Sequence, residues 1–108
     1  MSFDMNKMLK QVQEMQAQMA EAQQELANER VQASAGGGMV TVTASGAGEI
    51  VEIKIASEAI DPDDPDLLAD MILAAVNEAL RSAQSLAEAK LGGAAGLGDL
   101  GNLGLPGL

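Results

Sequence analysis

The chain has 108 residues and a formal charge of −10, and it contains no Cys, His, Trp or Tyr; Phe3 is its one aromatic residue. Without His or Cys it lacks the usual general base, the thiol nucleophile and the ligands that zinc and copper favour. The expectation is therefore a protein without catalytic residues, metal site or cofactor. No apolar stretch approaches the roughly 18 residues that suggest a bilayer span. No basic segment followed by an apolar one opens the chain, and there is no disulfide framework, so a cytoplasmic protein without a membrane partner is expected.

Residues 4–29 read as one long helix. Met5, Met8, Val12, Met15, Met19, Ala22 and Leu26 recur at alternating steps of three and four, the a/d seam of a heptad. Asp4 is placed to cap its first turn. At about 1.5 Å per residue such a helix approaches 40 Å, longer than the rest of a domain this small. Its far end should project and pack on another helix.

From Arg30 to Ala56 the period changes to two. Val31, Ala33 and Ala35 alternate with polar neighbours up to the turn at Gly36-Gly37-Gly38. Val40, Val42 and Ala44 alternate with Thr41, Thr43 and Ser45, a strand with one wet face. After the turn at Gly46-Ala47-Gly48, Val51, Ile53 and Ile55 oppose Glu52 and Lys54. Three strands joined by short turns make an antiparallel meander with open edges. The triple glycine lacks the Lys-Ser/Thr of a phosphate-binding loop and joins two strands, so it reads as a turn.

Asp61-Pro62 and Asp64-Pro65 disfavour helix before each proline, and Asp64 with Pro65 is a helix start. Asp61, Asp63, Asp64 and Asp66 lack the glycine and distal glutamate of a calcium loop; capping accounts for them better. The second helix runs from Pro65 to about Leu91 and should stop at Gly92-Gly93. Ile72, Leu73, Ala75, Val76, Ala79 and Leu80 begin a wide apolar stripe, able to cover a sheet and still touch a second helix. The domain is thus expected over residues 1–91. A Gly/Leu-rich disordered tail is expected over 92–108, with Leu97, Leu100, Leu103 and Leu105 available to a partner.

This order of segments resembles the YbaB/EbfC family of bacterial nucleoid-associated proteins over about residues 4–91. The resemblance rests on four stretches: Met5-Asn6-Lys7-Met8-Leu9-Lys10-Gln11-Val12-Gln13-Glu14-Met15-Gln16; Gly36-Gly37-Gly38-Met39-Val40-Thr41-Val42; Ile53-Lys54-Ile55 with Asp61-Pro62-Asp63-Asp64; and Leu67-Leu68-Ala69-Asp70-Met71-Ile72-Leu73-Ala74-Ala75-Val76-Asn77-Glu78-Ala79. It implies an α+β fold, helix–three-stranded antiparallel meander–helix. It also implies a tweezer-like homodimer joined through the sheets, with helix pairs as arms. The implied function is binding of double-stranded DNA with little sequence preference, in nucleoid organisation and gene regulation. The implied location is the nucleoid.

Charge distribution narrows where DNA would bind. Residues 49–70 hold eight acids against Lys54, and residues 14–30 sum to −3. The start of the first helix is the one positive end, with Lys7 and Lys10 against Asp4. Lys7 and Lys10 are three apart and share a face. A helix N-terminus also presents free N–H groups and a partial positive charge to phosphate. The candidate DNA contacts are therefore Lys7, Lys10 and the nearby Gln11, with Arg30, Arg81 and Lys90 as further cations. With so few cations, binding should be weak and salt-sensitive. The alternative function is a dimeric protein-interaction module that offers its acidic belt and tail to a basic protein partner.

Overall fold

The computed structural model describes residues 4–94, and their side chains as far as Gly92. Helix α1 (Met5–Asn28) leads into strands β1 (Arg30–Ala35), β2 (Val40–Ser45) and β3 (Ile50–Ile55). A short 3-10 turn at Ser57–Ala59 and an acidic loop follow, then helix α2 (Pro65–Ala94). The fold is α+β, with the expected helix–meander–helix order. The expected tail, with Leu97, Leu100, Leu103 and Leu105, lies outside the described residues.

Local chemistry sets the element ends. The Asp4 carboxylate accepts the Lys7 N–H at 3.1 Å, which satisfies one of the unpaired donors of the first turn of α1. Asp64 does the same for Leu67 at 3.2 Å, and Asp61 accepts the Asp63 N–H at 2.9 Å within the acidic loop. These carboxylates serve the backbone, as capping predicts. Helix α2 runs through Gly92 and Gly93 to Ala94, past the stop expected at those glycines.

The sheet order is β1-β2-β3, both pairings antiparallel. Gly36, Gly37 and Gly38 all take positive φ in the first turn, a conformation that costs glycine little. A side chain on Gly36 would also collide with the Met71 sulfur. Between β2 and β3 the register shifts: Thr43 faces Glu52 while Ala44 faces Ile50, so Val51 is the extra residue of a bulge.

One face of the sheet makes the core. Val40, Val42 and Ala44 are fully buried against Ala75, Ala79 and Ala83 of α2. Those alanines lie at steps of four on one helix ridge, so α2 sits close to the sheet. Val31, Ala33, Leu68, Met71, Ile72 and Val76 pack around them. α2 lies over β1 and β2 and barely reaches β3. Leu73, read as part of the apolar stripe, is exposed. It stands two residues before Ala75, about 200° around the helix and beside the polar stripe.

The opposite sheet face is drier than its alternation predicts. Thr43 and Ser45 are buried. The Gln32 side-chain amide crosses Thr43 and donates to its hydroxyl at 3.2 Å. The Ser45 hydroxyl accepts the Glu49 N–H at 3.3 Å.

Candidate functional site

α1 and α2 leave the sheet together at the end marked by the Gly46 turn. Gly46 donates its N–H to the Glu29 carbonyl at 3.1 Å, and Leu26 packs on it. Beyond that turn the helices run antiparallel. The Lys90 ammonium sits between Glu29 at 2.8 Å and Glu25 at 3.0 Å. Gln23, Leu26, Ala87 and Leu91, with Gly46 and Ala47, line a shallow apolar groove where the helices meet the turn. Ala22 and Leu26 are buried in this junction, while every residue from Asp4 to Gln18 is exposed. The amino-terminal half of α1 is therefore an arm that stands clear of the other described residues.

The six candidate residues fall into three places. Lys7, Lys10 and Gln11 are exposed on the arm near its tip. Among the described residues, no carboxylate lies within ion-pair distance of the Lys7 or Lys10 ammonium groups. Arg30 is at the arm's base, roughly 30 Å along the helix from Lys10. Its guanidinium donates to the carbonyls of Ala27 at 2.8 Å and Glu29 at 3.0 Å, which caps the end of α1. Lys90 is also at the base and only partly exposed. Its pKa is raised by the hydrogen bonds to Glu29 and Glu25, against a smaller opposing effect of burial. Arg81 is on the outer side of α2 and pairs with Glu78 at 2.8 Å, where both side chains remain exposed. The structure thus groups Lys7, Lys10 and Gln11, and it gives Arg30, Lys90 and Arg81 local partners.

Two features were missed in the sequence reading. Glu25 and Glu29 stand four apart on one helix face, where like charges repel. Such a pair signals a cation brought by another element, and here it is Lys90. The second feature is the exposure of the Val51, Ile53 and Ile55 side chains along β3, one of the open edges expected of the meander. The alternation of β3 matches that of a covered strand, so only the placement of α2 separates the two.

The arrangement is a small sheet-and-helix platform with a helical arm, paired to α2 only at its base; near the tip are two ammonium groups without an ion-pair partner among the described residues, and the acidic belt is far behind them. Such an arm can meet an extended polyanion while most of the negative charge stays at a distance. The chain belongs to the YbaB/EbfC DNA-binding family, whose model matches residues 1–98. A nucleoid-associated protein of Pelotomaculum thermopropionicum is 51% identical over 108 residues, covering 100% of this chain and 98% of that one. A nucleoid-associated protein of Saccharopolyspora erythraea is 50% identical, covering 97% of this chain and 94% of that one. The fold is similar to the crystal structure of an uncharacterized Helicobacter pylori protein, with a TM-score of 0.68 at 19% identity, over 78% of this chain and 88% of that one. The family and these relatives support a nucleoid DNA-binding role and do not favour a protein-only interaction module. Among the described residues, no helix is long and apolar enough to cross a membrane.

Proposed function

We propose that this chain is a homodimeric, non-catalytic, cytoplasmic protein of the nucleoid that holds duplex DNA by its phosphate backbone at the tips of its α1 arms. The observation that carries this reading is the pair of exposed ammonium groups of Lys7 and Lys10 on the projecting half of α1, with no carboxylate within ion-pair distance among the described residues, in a member of a DNA-binding family. The neighbouring Gln11 adds a side-chain amide that can donate to a phosphate oxygen. Contacts to phosphate carry no base information, so little sequence preference follows. Arg81, held only by an exposed ion pair, can exchange Glu78 for phosphate at little cost. Arg30 and Lys90 would contribute chiefly by keeping the arm in place.

Two protomers supply four tip lysines. If about four phosphates are neutralised, the slope of log K against log salt is about −3.6. A mobility shift of duplex DNA at two salt concentrations, for the natural chain and the Lys7→Glu/Lys10→Glu variant, tests the assignment. The expected result is loss of the shift in the variant. Undiminished binding by the variant would remove the tip as the site.

A further inference from the structure

The projecting half of α1 carries an apolar seam that no described residue covers. Met5 is 64% exposed, Met8 46%, Val12 47% and Met15 52%. These four continue the alternating steps of three and four that run through Met19, Ala22 and Leu26, where α1 packs on α2. There Met19 is half-buried, and Ala22 and Leu26 are buried. The inner half of the stripe is thus a helix–helix interface already formed. The outer half repeats its spacing with no described helix opposite. Leu9 lies beside the outer half and is 55% exposed.

A second copy of this helix, running the other way, is complementary to it. Met5 and Val12 occupy one position of the heptad seam, and Met8 and Met15 the other. Reversing one helix sets each residue of the first kind against one of the second. Met5 then meets Met15 and Met8 meets Val12, each pair twice about a twofold axis at the level of Lys10. All four layers fall on residues that α2 leaves bare. Moving one arm a heptad further in would press Met5 on Ala22, already buried at the junction with α2. Moving it a heptad out would keep only two layers. In a parallel pair, both α2 helices would have to lie between the two α1 helices at one height. The cover of α2 therefore selects both direction and register. Beside the seam, Leu9 faces Leu9, Gln11 faces Gln11 and Asp4 faces Gln18, so no like charges are opposed.

We propose that the projecting half of α1 pairs in this antiparallel register with the same half of a second copy, joining two bodies arm to arm. The pairing takes Leu9 and the four seam residues of each arm out of water. Methionine side chains adapt to one another across such a contact. Four layers make a small interface, so the pairing is weak and grows with concentration. It leaves both edges of the sheet untouched. Lys10 is two residues before Val12 and so projects from the opposite side of the helix, as does Lys7. The paired arms therefore keep their ammonium groups exposed. This inference does not rest on the DNA-binding reading.

The natural chain has no cysteine, so introduced thiols report without background. Full-length Met8→Cys and Val12→Cys chains are mixed and oxidised, and the linked peptides are identified by mass spectrometry. The register puts these two positions in one layer. Two copies of either position lie four residues apart, about 6 Å along the axis, against the Cβ separation of about 3.8 Å that a disulfide needs. The mixed disulfide should exceed each homodisulfide about tenfold. A mixed yield no better than random pairing would overturn the proposal. So would a yield unchanged when Glu14→Cys, on the outer face, replaces Val12→Cys. Sedimentation gives an independent readout without cysteines. The average mass of the natural chain should keep rising from micromolar to near-millimolar concentration. Met8→Glu/Val12→Glu, at two exposed positions of α1, should abolish that rise. Its absence in the natural chain, or its survival in the variant, would contradict arm pairing.

Discussion

Gly46 is the point where the arm touches the sheet most closely. Its φ is not in the left-handed region, so a turn conformation is not what requires glycine there. Space is: a Cβ at this position would stand 2.6 Å from the Leu26 carbonyl oxygen and 2.9 Å from a Leu26 methyl carbon. The methyl group can move, but the carbonyl belongs to the last turn of α1, whose neighbouring residues hold the Gly46 N–H through Glu29. Gly46→Ala must therefore push the helix end off the turn or break that hydrogen bond. The expected cost is about 1–3 kcal/mol, the usual range for overpacking. Urea unfolding at fixed protein concentration should show an earlier midpoint for this variant. Ala47→Gly, one residue along and exposed, should shift it much less. An unchanged midpoint for Gly46→Ala would mean that the junction is looser than its contacts indicate.

The two helices are joined by one side chain as much as by apolar contact. Lys90 holds Glu25 and Glu29 together, and one oxygen of Glu29 is buried without a hydrogen bond among the described residues. Removal of the ammonium group leaves two like charges four residues apart, one of them partly shielded from water. The Lys90 pKa is raised above its ordinary 10.5. Its contribution to stability is therefore fully present below that value and is lost as pH rises through the higher folded value. Lys90→Met should unfold at lower urea than the natural chain at pH 7, and the gap should persist to about pH 10 and narrow above it. A gap that closes well below pH 10 would count against the lysine as its source. Such a contact also shows what periodicity conveys and what it leaves open. The bounds of α1, the Asp4 and Asp64 caps and the three strands were legible because each depends on residues within a turn or two. The Lys90–Glu29 pair spans 61 positions and has no local signature beyond two acids on one face. Lys7 and Lys10 were legible as an exposed pair because no acid follows them within a turn before Glu14. Arg30, Arg81 and Lys90 were not separable from them until their partners were seen. Leu73 misled because composition marks it as core while its angle around α2 turns it outward. Thr43 misled because a strand's period cannot show that Gln32 will lie across it.

Among the described residues the sheet has two open edges, one of them barely covered by a helix. β1 and β3 are both edge strands, but they differ in cover: α2 packs along β1 and leaves β3 nearly bare. Val51 at 47%, Ile53 at 44% and Ile55 at 37% exposure form an apolar strip beside unpaired backbone groups. A single small domain that leaves such an edge free invites pairing with another chain. Under the proposed function the occupant is a second copy, which would double the tip lysines and set them on one body. Dimerisation through β3 makes two expectations. Light scattering at micromolar concentration should give about twice the 11.0 kDa chain mass. Ile53→Lys should raise the dimer dissociation constant by at least tenfold, or about 1.4 kcal/mol, because the new charge must be desolvated in the interface or repelled by its symmetry mate. Ser34→Lys, on the exposed side of β1, should leave the mass unchanged. Dissociation by Ser34→Lys but not by Ile53→Lys would move the interface to the other edge of the sheet. The arms would then be set differently on the pair, and with them the span of duplex that four lysines can hold.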